Sequence, residues 1–308
     1  MKQMTSSEWI AQFLATEPPR SKSLMMTVFG DAVAPHGGTI WLGSLIELAA
    51  HFGINDRLVR TSVFRLAQEG WLLANRDGRR SSYSIHPDAL KRFERANHRI
   101  YEPIHGKWDG GWTLVISGGA DIGAPQRAQL RKELVWEGYA MVAQGLFAHP
   151  AGDADGLKDV LSRLGVQDKL FVCHATALPG MASRPLSDLV AEGWDLSEVV
   201  AAYQRFVETF EPLYALLRQG AGLEPEHAFV IRTLLVHAYR RVQLHDPMLP
   251  VGLCPSPWPG TRAYELARDI YRYSYGAAEQ HIMAVMRRED KDVPSANAAF
   301  HQRFEGLR

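Results

Sequence analysis

Arg57, Arg60, Thr61 and Arg65 recur at helical spacing and carry the chemistry needed to read or hold a nucleic acid. A guanidinium offers its donors in a fixed fork that matches the O6 and N7 edge of guanine or a phosphate, and a threonine hydroxyl can bond either. A second set of guanidiniums, Arg76, Arg79 and Arg80, brackets Asp77-Gly78. That dipeptide favours a tight hairpin turn, because glycine tolerates positive φ.

For the first set to face outward, the stretch after Gly53 must be a helix with its apolar residues turned away. Asn55 can cap it by accepting a bond from a free backbone N–H. Val59, Val63 and Leu66 return at helical spacing to face a core, leaving Arg57, Arg60, Thr61, Arg65 and Gln68 on the other side. For the second set, Trp71-Leu72-Leu73-Ala74 and Ser81-Ser82-Tyr83-Ser84-Ile85 must pair as strands. Upstream, Leu45, Ile46, Leu48 and Ala49 stripe a helix ending near Gly53, and Ser23 to Ala32 makes another. Thr39-Ile40-Trp41 after the Gly37-Gly38 turn can add a third strand. The order helix, turn, helix, basic hairpin is that of a winged helix-turn-helix. A lone arginine-bearing helix is more often a solvated face; the ordered combination with a basic hairpin selects DNA.

The chain has 308 residues, 46% of them hydrophobic, which is enough for two or three units with their own cores. Lys+Arg and Asp+Glu both number 34, so the whole is not basic. Between Arg20 and Arg99, however, 12 Lys/Arg face 7 Asp/Glu, a local basic patch on a neutral protein. Cys173 and Cys254 are the only cysteines, with no spacing that would staple a fold. No charged leader followed by an apolar segment opens the chain and no apolar run approaches membrane-spanning length, so a cytoplasmic protein is expected.

Residues 6–16 predict an amphipathic helix capped by Ser6 or Ser7. Pro87 to about Tyr101 predicts a connecting helix with Lys91, Arg92, Arg95 and Arg99 on its wet face. Beyond Trp108 the pattern is strand (112–116), helix (126–136), strand (139–147), helix (157–164) and strand (170–173), suggesting a small ferredoxin-like α+β sandwich. The rest is helical, interrupted by Asp246-Pro247-Met248-Leu249-Pro250 through Trp258-Pro259-Gly260, with a last helix from about Thr261 past Tyr271. A polar, loose tail is expected after Asp290.

Other chemistry is thinner. Gly118-Gly119-Ala120-Asp121-Ile122-Gly123 lies where a phosphate loop would lie, but it matches neither GxGxxG nor the Walker pattern. Asp121 is placed like a metal-binding aspartate of Cas2-type nucleases, yet one carboxylate without partner oxygens is a poor metal site. His237, Tyr239, Arg240, Arg241 and His245 gather on and just after an apolar helix, with Asp246 beside them. They are either structural cations at a helix end or an anion pocket whose arginines clamp phosphates. The histidines do not have zinc spacing and no nucleophile motif stands out, so neither metal binding nor catalysis is indicated.

Val59-Arg60-Thr61-Ser62-Val63-Phe64-Arg65-Leu66, Gly70-Trp71, Gly78-Arg79-Arg80-Ser81-Ser82-Tyr83, Gly37-Gly38-Thr39-Ile40-Trp41-Leu42 and Ser23-Leu24 to Gly30-Asp31 resemble the PaaX family of repressors of phenylacetic acid degradation. The likeness continues through Trp108-Asp109-Gly110-Gly111-Trp112, His237-Ala238-Tyr239-Arg240-Arg241, Asp246-Pro247-Met248-Leu249-Pro250 and Trp258-Pro259-Gly260, nearly the whole chain. It implies a multidomain α+β protein: a winged helix-turn-helix (1–86), a connecting helix (87–107), a ferredoxin-like, Cas2-like domain (108–180) and a helical C-terminal domain (181–308). It also implies a homodimer on double-stranded operator DNA, released by phenylacetyl-CoA or a related acyl-CoA. Arg57, Arg60, Thr61 and Arg65 would then enter the major groove, with Arg76, Arg79 and Arg80 on the wing. His237, Arg240 and Arg241 are candidates for the effector's anionic groups. The competing expectation is a metal-dependent nuclease using Asp121 in the Cas2-like domain.

Overall fold

The computed structural model describes residues 4–103, 108–119, 121–178, 180–181, 184–220 and 222–307. Residues 104–107, at the end of the expected connecting segment, and Ala120 of the glycine-rich loop lie outside them. Helices α1 (Ser6–Thr16), α2 (Ser21–Val28), α3 (Leu42–Ala50), α4 (Asp56–Gln68) and α5 (Pro87–Tyr101) alternate with strands β1 (Thr39–Trp41), β2 (Leu72–Asp77) and β3 (Arg80–Ile85). Then follow β4 (Gly111–Ile116), α6 (Ala124–Trp136), β5 (Ala140–Ala143), β6 (Leu146–His149), α7 (Ala154–Leu164) and β7 (Phe171–Thr176). The remainder holds α8 (Leu186–Gly193), α9 (Ser197–Leu217), α10 (Pro225–Gln243), α11 (Pro259–Glu289) and α12 (Ala298–Gln302).

By contacts the chain forms two compact units. One comprises Met1–Pro103, Arg205–Arg241 and Arg262–Arg308; the other comprises Ile104–Gln204 and Val242–Thr261. Most of the C-terminal helical residues therefore share a unit with the winged helix.

In the first unit, β1, β3 and β2 form an antiparallel sheet in that order. Asp77 pairs with Arg80, so Gly78 and Arg79 are the two-residue tip, and Gly78 takes the positive φ of +58° that this turn needs. Helix α1 opens one residue before the expected cap: Thr5 accepts from Glu8 N while the Glu8 carboxylate returns to Thr5 N, a capping box. Helix α2 gives way to a π-turn over Phe29–Val33, which turns Asp31 into the interior. There Asp31 accepts from Arg232 Nε (2.9 Å), Arg303 Nη1 (2.9 Å), Tyr101 Oη (2.7 Å) and Tyr271 Oη (2.9 Å). Arg232 also donates to Glu279, which meets His36 Nε2 at 2.9 Å. Burial would raise the Glu279 carboxyl, but the bond from His36 and the Arg232 charge outweigh it and hold it at about 2. The tail expected to be loose is ordered instead: Val293, Phe300, Phe304 and Leu307 are buried, and Arg303 closes the cluster on Asp31. Apolar residues spaced through a polar sequence account for this, since each buries a ring or branched chain that composition alone conceals.

The second unit holds the ferredoxin-like sheet, ordered β5-β6-β4-β7 and antiparallel throughout. The stretch 139–147, expected as one strand, is a hairpin broken at Gly145, which completes the βαββαβ pattern. Val115 on the central strand, Leu130 and Leu134 of α6, and Leu157 and Leu161 of α7 form its core with Tyr139 and Phe147.

Candidate nucleic-acid interface

Helix α4 presents the first cationic set. The Asn55 side chain accepts from Leu58 N at 3.0 Å and so caps the helix as its sequence predicts. Val59, Val63 and Leu66 are fully buried against the core, while Arg57, Arg60, Thr61, Arg65 and Gln68 are all exposed. The helix is thus rotated by its own apolar stripe. Arg60 is held by Asp56 one turn back, and the Thr61 hydroxyl donates to Arg57 O at 2.8 Å. Helix α3, the other helix of the pair, has no cap from its own chain segment. Glu289, the last residue of α11, fills that role by accepting from Ser44 N (2.7 Å) and Ser44 Oγ (2.9 Å). Glycine at position 43 leaves room for this approach, since a Cβ there would stand 2.8 Å from the carboxylate and push it aside.

The wing presents the second set. Arg76 lies on β2, Arg79 in the turn and Arg80 at the start of β3, and all three are exposed. Arg80 lies over the Trp41 ring, 4.0 Å from its centroid, and donates to Glu289 O at 3.1 Å. Glu289 therefore meets the helix pair through its carboxylate and the wing chiefly through its backbone oxygen, with the carboxylate 3.5 Å from Arg80.

Two exposed apolar residues of α4 escaped the sequence reading, Leu58 and Phe64. Phe64 is 58% exposed and sits on the same side of α4 as Arg57, Thr61 and Gln68. The signal that finds it is the spacing 57, 61, 64, 68, one face of a 3.6-residue helix, which places it opposite the buried stripe.

The other candidates are placed less openly. His237 is buried, with Nδ1 3.0 Å from Thr27 Oγ1; burial first, and the charges of Arg240 and Arg241 second, push its pKa down to about 3. Arg240 donates to Ser23 O (3.1 Å) and Ser23 Oγ (3.0 Å), its Nε has no hydrogen-bond partner, and burial lowers its pKa. Arg241 is exposed. In the second unit, Asp246 accepts from Tyr203 Oη (2.5 Å) and Met248 N (2.7 Å). Asp121 is exposed, and among the described residues no group of three His, Cys, Asp or Glu is placed to hold a metal ion. Cys173 and Cys254 are free thiols. No helix among the described residues is long and apolar enough to cross a membrane.

Three family models match the chain: PaaX-like protein over residues 20–88, PaaX protein central Cas2-like domain over 105–186, and PaaX-like protein C-terminal domain over 194–284. The chain is 38% identical over 292 residues to the protein described as transcriptional repressor PaaX of Escherichia coli (strain K12), covering 94% of this chain and 92% of that protein. Among solved structures, the uncharacterized protein Rv0674 from Mycobacterium tuberculosis is similar in fold, with a TM-score of 0.53 at 24% identity over 86% of this chain and 98% of that one.

Proposed function

The chain belongs to the PaaX family of transcriptional repressors, and from that premise we propose that it represses a phenylacetate or other aromatic-acid catabolic operon and is released from DNA by an aromatic acyl-CoA such as phenylacetyl-CoA. It is a repressor and not an enzyme, so the nuclease reading of Asp121 is withdrawn. The observation that carries the DNA reading is that Arg57, Arg60, Thr61 and Arg65 on α4 and Arg76, Arg79 and Arg80 on the wing are all open to solvent. Helix α4 enters the major groove of operator DNA, and the wing grips the adjacent backbone or minor groove.

The protein acts in the cytoplasm as a homodimer, so that two copies of α4 meet half-sites about one helical turn or a multiple apart. The sheet face of the second unit supports self-association. Ile116 and Phe171 are paired across β4 and β7, and both expose apolar surface, Phe171 at 63%. His237, Arg240 and Arg241 remain the candidates for the effector's anionic groups. Arg240 supports this choice, because a half-buried guanidinium held by a serine keeps a donor to spare. The effector acts by preferring the dimer geometry that misaligns the two α4 helices, since only differential affinity for two states can shift them.

The test is a mobility shift with the DNA upstream of the protein's own gene, titrated with phenylacetyl-CoA, free CoA and phenylacetate. A shift reversed by phenylacetyl-CoA and by neither other compound is expected. A protein that retards no such DNA, or whose complex ignores every acyl-CoA, would overturn the reading.

A further inference from the structure

We propose that Phe64 is the residue of α4 that recognises thymine, through the 5-methyl group of a T·A pair in the major groove. The inference rests on the proposed placement of α4 in that groove and goes beyond it by assigning a base to an apolar side chain. Phe64 occupies the middle of the outward stripe Arg57, Thr61, Phe64, Gln68, and it is 58% exposed. Large aromatic side chains are ordinarily withdrawn from solvent. Here the opposite face of the same helix, with Val59, Val63 and Leu66 fully buried, already satisfies the core, so nothing in the packing of α4 calls for a ring on the outside.

The chemistry of the groove limits what such a ring can meet. Along the major-groove edge guanine, cytosine and adenine present hydrogen-bonding groups and small C–H positions; thymine alone adds a methyl. A phenyl ring pressed on a polar edge would strip water from donors or acceptors and return no bond, which is costly. Against a thymine methyl, both partners are apolar and both leave water. The neighbours fix where this contact falls. Thr61 and Arg57 lie one and two turns toward the helix N-terminus and Gln68 one turn toward its C-terminus, so the thymine lies inside the tract that the polar side chains read or clamp. The positive charge of the exposed guanidiniums on either flank, Arg60 and Arg65, draws the duplex in and brings the ring to the base edge.

The experiment begins with duplexes selected from a randomised pool by the wild-type protein. Each thymine in a selected half-site is then replaced singly by deoxyuridine, which removes only the methyl. Wild type should bind about fourfold more weakly at one position per half-site, the loss of one methyl's burial, and should be indifferent elsewhere. Phe64→Ala should bind with equal affinity to the thymine and uracil duplexes at that position, while Phe64→Leu, still apolar, should retain part of the discrimination. Should Phe64→Ala abolish binding, the leucine variant carries the comparison. Two results would sink the inference and leave the DNA reading standing: wild type indifferent to every uracil, or Phe64→Ala and Phe64→Leu as sensitive as wild type at the responsive position. If no duplex is enriched, or if Arg57→Ala and Arg65→Ala leave binding untouched, the placement of α4 fails and this assignment falls with it.

Discussion

Arg60 differs from the other outward arginines of α4 because its guanidinium already has a partner, Asp56, one turn away. To fork onto a guanine it must exchange that carboxylate, and an exposed pair of this kind holds it by only about 0.2–1 kcal/mol. The exchange is therefore easy. Arg60→Ala should cost roughly 1–3 kcal/mol on the preferred sequence and little on unrelated DNA if the contact is bidentate to a base. An equal loss on all duplexes, seen in competition assays, would make it a phosphate contact. His237 sets a second expectation. Its folded pKa of about 3 lies below the ordinary histidine value, so the unfolded chain binds a proton first as pH falls. Its contribution is whole above about pH 6.5 and is lost as pH drops toward 3, at up to a little over 1 kcal/mol per pH unit. Urea unfolding at pH 7, 5.5 and 4.5 should show that decline, and His237→Gln should flatten it; an unchanged slope in the variant would remove His237 as the cause. The exposure of the arginines was legible because apolar periodicity orients a helix. Phe64 was not, because hydrophobicity assigns a phenylalanine inward unless its phase on the helix is counted.

Local pattern predicted helices and strands well wherever one face meets one core, as in α4, α5 and the β2–β3 hairpin. It failed at the 139–147 stretch, where continuous apolar character hid the turn at Gly145 that makes two strands of one. It also missed what an element borrows from far away. Helix α3 has Trp41 at its N-cap, a side chain with no acceptor to offer, and the missing acceptor comes from Glu289 at the end of α11. No spacing rule reveals a cap 245 residues distant. Glu289→Ala should leave the first turn of α3 without its acceptor, a cost of about 1 kcal/mol by analogy with lost N-caps, while Arg80 keeps its bond to the backbone oxygen of residue 289 and its place over the Trp41 ring. Hydrogen exchange should quicken in the first turn of α3 and stay unchanged in the β2–β3 hairpin. Faster exchange in the hairpin as well would show that the carboxylate, and not the backbone oxygen, anchors Arg80. Gly43→Ala makes the same prediction from the other side, since the added Cβ displaces the carboxylate.

On the scale of the whole molecule, the tail and the C-terminal helices are part of the fold that displays the reading surface. Asp31 comes from the N-terminal region, Tyr101 from α5, Arg232 from α10, Tyr271 from α11 and Arg303 from the tail, and all five meet in one buried cluster. Composition offered no hint of this, because two arginines and an aspartate scattered along the chain look like surface charge. Burial is expensive for each ion alone, and Asp31 offsets it for both guanidiniums at once. Without Arg303, Asp31 and Glu279 share the single buried guanidinium of Arg232, so a carboxylate in a dry cluster loses its compensating cation. Arg303→Ala should therefore destabilise the first unit by about 3–5 kcal/mol, a loss comparable with removing one ring of Phe300 or Phe304 beside it. A winged helix that folded independently would not feel a change some 200 residues away. Because Met1–Pro103 shares a unit with Arg205–Arg241 and Arg262–Arg308, fluorescence and backbone probes in α4 and α11 should melt together, and Arg303→Ala should lower both midpoints equally. A chain ending before Val293 should behave the same way and lose DNA binding although every arginine of α4 and the wing is intact. If α4 kept its midpoint and its affinity while α11 alone unfolded, the recognition domain would be self-sufficient and the cluster on Asp31 would serve only the C-terminal helices.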